Sequence, residues 1–127
     1  MTDELKPEYA LDIASRFNEC INNGDLDGLA MLMTPDHLFI DMAGGVVTGI
    51  RACLMAWAVF FAAFPDYQNH FTGYIMGENF VKMVGHSTCS DPRLEGKALW
   101  SARIRNNKIS EWRVYEDTLD NRELLGI

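Results

Sequence analysis

Apolar residues recur at three- and four-residue spacing through Ala10, Ile13, Ala14, Phe17, Cys20 and Ile21. This is the stripe of an amphipathic helix, and Pro7 suits its first turn, where the missing N–H would have no partner anyway. Asn22-Asn23-Gly24 ends it, since Gly24 can take the left-handed conformation that follows a helix C-terminus. Asp25 then predicts the cap of a second helix, which carries Leu26, Leu29, Ala30, Leu32 and Met33 up to Thr34-Pro35. Leu38, Ile40 and Met42 alternate with His37, Phe39 and Asp41, the period of a strand, before an Ala43-Gly44-Gly45 turn. Thr48 predicts the cap of a third helix through Arg51, Leu54, Trp57 and Phe61, closed by Pro65. That helix is apolar nearly all round, which predicts cover on most of its sides.

Beyond Asp66 aromatic and branched residues come in runs broken by Gly73, Gly77-Glu78-Asn79, Asp91-Pro92, Gly96 and Asn106-Asn107. About four strands follow: Tyr67 to Met76, Phe80 to Ser90, Lys97 to Arg105 and Ile109 to Glu116. Helices first and a meander after predict an α+β fold, a cone-shaped curved antiparallel sheet packed against three N-terminal helices and enclosing a pocket. At 127 residues the chain is expected to form one domain over residues 1–127 with one core.

Composition narrows the partners. A net charge of -7 with only 11 scattered basic residues argues against nucleic acid, which needs clustered Lys and Arg, and against an anionic membrane surface. The longest apolar run, Ala52 to Phe64, is too short for a bilayer, and Met1-Thr2-Asp3-Glu4-Leu5 lacks the charge pattern of a signal peptide. Cys20, Cys53 and Cys89 are odd in number, and Cys20 and Cys53 sit among apolar residues, so a reducing, cytoplasmic location is expected. His, Cys and carboxylate spacing shows no metal-ligand pattern, and no Walker A, dinucleotide or nucleophile-elbow motif occurs, so no cofactor is expected.

Several stretches together resemble one superfamily. Asn23-Gly24-Asp25-Leu26-Asp27-Gly28-Leu29, followed by Leu32, Asp36 and Asp41, looks like the opening of ketosteroid isomerases and SnoaL-like polyketide cyclases, within the nuclear-transport-factor-two-like superfamily. Phe64-Pro65-Asp66-Tyr67 resembles their helix-to-strand junction, Asn107-Lys108-Ile109-Ser110-Glu111-Trp112 with Asp117 their last hairpin, and Leu124-Leu125-Gly126 their tail. The resemblance implies a cone-shaped homodimer whose pocket serves isomerisation, cyclisation, epoxide hydrolysis, dehydration or binding. Function is then decided by the site.

Asp41 falls by spacing where ketosteroid isomerases carry the Asp that moves a proton next to a carbonyl. A carboxylate facing an apolar cavity loses hydration and becomes a usable base; the alternative is that Asp41 accepts N–H groups from its own turn. Where the isomerases place an oxyanion-donating Tyr this chain has Phe17, and where they place a protonated Asp it has Trp100, whose indole N–H can still donate. Limonene epoxide hydrolases need an Asp where this chain has Val114, and an Arg and Asp where it has His86 and Thr88, which argues against that mechanism. Inward alternation of His86 with Thr88 would bring His86 near Asp41 and Trp100, as an acid or base or as an ordinary hydrogen-bonding residue. If Trp112 faces inward, Val114 and Glu116 share its side, which makes Glu116 a second acid-base candidate or a solvated rim carboxylate. Asp117 is expected to be structural, capping the tail or pairing with Arg.

Phe17, Trp57, Phe60, Trp100 and Trp112 are expected to line or back a cavity for a small, largely apolar ligand. Buried indole N–H groups want partners, which singles out Trp100 and Trp112. Arg103, Arg105, Arg113 and Tyr115 point outward in the same alternation and suit a dimer face. Two functions fit: a cofactor-independent acid-base enzyme of the cyclase or isomerase type on a small apolar carbonyl compound, with Asp41 as base, or a non-catalytic binding or dimerisation module.

Overall fold

The computed structural model describes residues 7–127, with side chains from residue 9; the acidic residues at the N-terminus lie outside that range. Helices α1 (Pro7–Asn23) and α2 (Leu26–Leu32) lead into β1 (Met33–Ile40) and β2 (Val46–Thr48), followed by α3 (Ile50–Ala63). The remainder is β3 (Gln68–Met76), β4 (Phe80–Thr88), β5 (Gly96–Arg105), β6 (Lys108–Glu116) and a short α4 (Leu119–Leu125), with a single 3-10 turn at Pro92–Leu94 before β5. The strands form one curved, unclosed sheet in the order β2-β1-β6-β5-β4-β3. This is the expected α+β architecture. No described helix is long and apolar enough to cross a membrane.

The α1 stripe packs on one face of the sheet. Ala10, Ile13, Ala14, Phe17 and Ile21 are all buried and belong to one cluster with Met83, Trp100, Ala102, Ile109 and Trp112 from the sheet. The end of α1 is also pinned to the start of β3. Asn22 Nδ2 donates to the Asn69 carbonyl at 3.0 Å, its Oδ1 accepts from Asn69 N at 2.8 Å, and Gln68 Nε2 donates to the Asn22 carbonyl at 2.8 Å. Asn22 thus ends the helix and satisfies backbone groups of a strand 47 residues away.

Four details differ from the sequence-based expectation. The sheet is not wholly antiparallel: β1 lies parallel to β6, Phe39 opposite Trp112, so the first strand covers the edge the last one would expose. The second helix stops at Leu32, and Met33 and Thr34 already belong to β1, buried at 1% and 2% exposure. Pro35, which cannot donate to a ladder, falls where the β1–β6 register shifts. Thr48 pairs with Leu38 in a short strand instead of capping α3; the cap position is Gly49, at φ 93°, where a side chain is disfavoured. Finally, α3 buries only Cys53 and Trp57, and Met55 and Val59 are each 71% exposed. A helix laid on one edge of an open sheet has one packing face, and the apolar residues around the rest remain uncovered.

The tail follows the expectation that Asp117 is structural. Its helix α4 is capped by Thr118, whose side chain accepts from Asn121 N at 3.1 Å, while Asp117 forms a forked ion pair with Arg122 at 2.6 and 2.9 Å. The ion pair holds the Asp117 carboxyl below the usual carboxylate range. Asp117 therefore pairs and Thr118 caps. Thr118→Ala is expected to destabilise the protein by about 1 kcal/mol, read as a lowered urea midpoint, with hydrogen exchange rising in residues 119–125. Unchanged exchange there would show that the cap contributes nothing.

Candidate functional site

A cavity of about 620 Å³ lies between the concave side of the sheet and α3. Phe39 of β1 and Cys53, Trp57 and Phe60 of α3 form one wall; Trp100 of β5 and Trp112 and Val114 of β6 form the opposite one. Period-two alternation places Trp112, Val114 and Glu116 on the same side of β6, and all three reach the cavity. The aromatic wall is mutually braced: Phe39 meets Trp57 edge-on at 5.4 Å, and Phe60 meets Tyr67 edge-on at 4.9 Å. Trp100 and Trp112 are fully buried in the chain, and neither indole N–H has a hydrogen-bond acceptor among the described residues.

Both carboxylate candidates stand at the mouth. Asp41, just past the end of β1, lines the cavity but is exposed, and its Oδ1 accepts from Ala43 N at 2.9 Å and Gly45 N at 2.8 Å. Gly45 permits that wrap, because an added Cβ would lie 2.7 Å from Asp41 Oδ2. Glu116 is likewise exposed and shares the rim with Glu95 and Lys97. Arg93, also at the rim, is committed to Asp91, which it holds down to about 2.

Three expected site residues lie elsewhere. His86 and Thr88 are on the outer face of the sheet, where His86 stacks on His70 at 4.9 Å and Thr88 Oγ1 meets His70 Nε2 at 3.1 Å. The physical reason is phase: burying Val81 and Met83 at 0% exposure turns Gly85 and Ser87 inward with them, so His86 and Thr88 turn out. Phe17 is in the core behind the cavity wall, 4.7 Å from Trp112, and it does not reach the cavity. Trp57, Phe60, Trp100, Trp112 and Val114 do reach it.

The same phase brings in a polar group that sequence reasoning missed. Tyr67, Asn69 and Ser87 line the cavity and are joined by hydrogen bonds: Tyr67 Oη to Ser87 Oγ at 3.0 Å and Ser87 Oγ to Asn69 Oδ1 at 2.8 Å. Asn69 Nδ2 continues the chain to Asn18 Oδ1 at 3.2 Å. Burial pushes the Tyr67 phenol up, so it is the neutral O–H that joins the chain. Ser87 was discoverable, since it is in register with Val81 and Met83; the polar character of His86 drew the inward assignment to the wrong partner.

The family described as SnoaL-like domain matches residues 14–117. No curated protein sequence matches the chain. Among solved structures, a candidate SnoaL-like polyketide cyclase from Jannaschia sp. CCS1 superposes with a TM-score of 0.77 at 16% identity, covering 95% of this chain and 94% of its own. An LEH-like epoxide hydrolase from M. tuberculosis gives 0.76 at 13% identity, covering 87% and 84%. IdmH, a candidate polyketide cyclase from Streptomyces antibioticus, gives 0.72 at 20% identity, covering 93% and 99%. At these identities the likeness is one of fold.

Proposed function

We propose that this chain, which belongs to the SnoaL-like domain family, is a small-molecule pocket protein whose role is to bind a flat, largely apolar compound. One observation carries the reading. The enclosed part of the cavity offers aromatic rings and neutral polar groups, Tyr67, Asn69 and Ser87, whereas the carboxylates Asp41 and Glu116 sit exposed at the mouth. Desolvation is what turns a carboxylate into a base near neutral pH, and an exposed Asp already engaged by its own turn is a poor candidate for that treatment. The turn reading of Asp41 fits the geometry, and the departure of His86 removes the partner acid.

A second reading, an acid-base enzyme acting beside a carbonyl, is favoured by a different observation: Asp41 does border the cavity.

2-Acetylnaphthalene distinguishes the two. It is flat and apolar, and its methyl protons exchange with deuterium when a base abstracts them. Quenching of the fluorescence of Trp57, Trp100 and Trp112 is expected to saturate with a Kd on the order of 0.1 mM, at about -0.4 kcal/mol per heavy atom. Methyl exchange, followed by NMR, is expected to run at the rate of buffer. Accelerated exchange lost in Asp41→Asn would establish the enzyme reading instead, and absence of saturable quenching would remove the binding one.

A further inference from the structure

The polar chain in the cavity wall has a direction, and a backbone carbonyl sets it. Asn18 Nδ2 lies 3.3 Å from the carbonyl oxygen of Asn69, which can only accept, so that end of the Asn18 amide is the nitrogen. Its other end, Oδ1, can then only accept from the Asn69 side chain, which makes the Asn69 atom at 3.2 Å the Nδ2 donor. The remaining Asn69 atom, Oδ1, must accept the bond at 2.8 Å from Ser87. Ser87 has one hydroxyl proton and spends it there, so at the 3.0 Å contact it is Tyr67 that donates. Both hydroxyl protons, and the Asn69 amide proton bonded to Asn18, are directed away from Tyr67. The phenolic oxygen ends the run in the cavity wall with lone pairs and nothing to donate.

We propose that Tyr67 is an acceptor subsite, and that the molecule this pocket takes carries a hydroxyl or N–H group that donates to the phenolic oxygen. The inference rests on the pocket-binding reading above and narrows its ligand class to apolar compounds with a donor, such as phenols. It also assigns polarity: Tyr67, though a tyrosine in a cavity wall, is held in the wrong sense to stabilise an oxyanion, which needs donors aimed at it.

Calorimetric titration of 2-naphthol and of its methyl ether, which lacks the donor, tests this against the wild type and Tyr67→Phe. The ratio of the two dissociation constants is expected to favour 2-naphthol about tenfold more in the wild type than in Tyr67→Phe, the effect of one hydrogen bond. Ser87→Ala supplies a readout that a merely structural role would not move. Freed from Ser87, the Tyr67 proton becomes available to the cavity, and 2-acetylnaphthalene, an acceptor only, is expected to bind about tenfold tighter than to the wild type. Equal ratios in the wild type and Tyr67→Phe would overturn the proposal, as would an unchanged affinity of 2-acetylnaphthalene in a folded Ser87→Ala. If Ser87→Ala does not fold by circular dichroism, the Tyr67→Phe ratio decides. Binding of the ether without any preference for 2-naphthol sinks only the acceptor subsite, whereas failure of all three naphthalenes to bind sinks the pocket reading with it.

Discussion

Trp112→Ala is expected to lower the free energy of unfolding by about 3–5 kcal/mol, the range for removing a large aromatic from a packed core. Trp112 has no solvent exposure, lies against Phe17 at 4.7 Å and Phe71 at 6.3 Å, and is the residue of β6 opposite Phe39 in the parallel pair. It is therefore shared between the α1 core and the cavity wall. The void left by the indole would open toward existing empty space, so neighbours have little to collapse onto and the cost should fall high in the range. Set against the roughly 5–15 kcal/mol typical of a domain, that is about a fifth or more of the total. Urea denaturation at neutral pH measures it as a midpoint lower by roughly 1–3 M. A loss below about 1 kcal/mol would mean that the indole is only a loose cavity lining and that α1 does not depend on it.

The second large effect concerns pH, and it comes from His37. Its side chain is completely buried, and its Nδ1 lies 2.7 Å from the Ile109 carbonyl, which can only accept, so Nδ1 carries the proton of the neutral ring. Nε2 has no hydrogen-bond partner among the described residues, and Phe17 lies 5.6 Å away. A second proton on Nε2 would place an uncompensated charge in the core, and burial accordingly pushes the imidazole down from its ordinary value, opposed by the Ile109 bond and by Asp36. With the folded value below the unfolded one, the unfolded chain binds more protons through the interval between them. The His37 contribution is thus fully present above about pH 6.5 and is lost as pH falls, by up to about 1.4 kcal/mol per pH unit, until the folded value is reached. Urea midpoints measured from pH 8 to 5 are expected to drop in the wild type and to flatten in His37→Gln, which keeps a donor for Ile109 but cannot titrate. An equal slope in both proteins would clear His37 of the effect. The carboxylates Asp36, Asp66, Asp91 and Asp117 are shifted downward by their hydrogen bonds, so their contributions persist above about pH 4 and disappear only at lower pH. The two losses begin at different pH, near 6.5 for His37 and near 4 for the carboxylates.

Much of the candidate site was legible in outline and wrong in phase. Alternation from Trp112 correctly predicts Val114 and Glu116 on the cavity side, because β6 carries a large apolar residue that could face only the core. On β4 the same rule, started from His86, gives the opposite face, because the strand offers two alternating sets and only burial chooses between them. Val81 and Met83 decide it, and with them come Ser87 and the hydrogen-bonded run to Asn18. For Asp41 the alternative of a turn acceptor is the one that holds: Ala43 N and Gly45 N both donate to its Oδ1.

By itself the sequence determined the elements whose causes are local. Helix α1 follows from its three- and four-residue stripe and from Gly24 at φ 62°, the hairpin between β5 and β6 from Asn106 and Asn107 at φ 54° and 62°, and the last four strands from aromatic runs between turns. Each needs only side-chain periodicity and the backbone freedom of a few residues. Tertiary structure alone decided what depends on partners far along the chain: β1 beside β6, the bare outer side of α3, the outward turn of His86, and Tyr67 held as an acceptor by a carbonyl and two amides across the fold. Those outcomes rest on which surfaces and which hydrogen-bonding groups are left to satisfy one another once the local elements pack, a competition that no single stretch of sequence records.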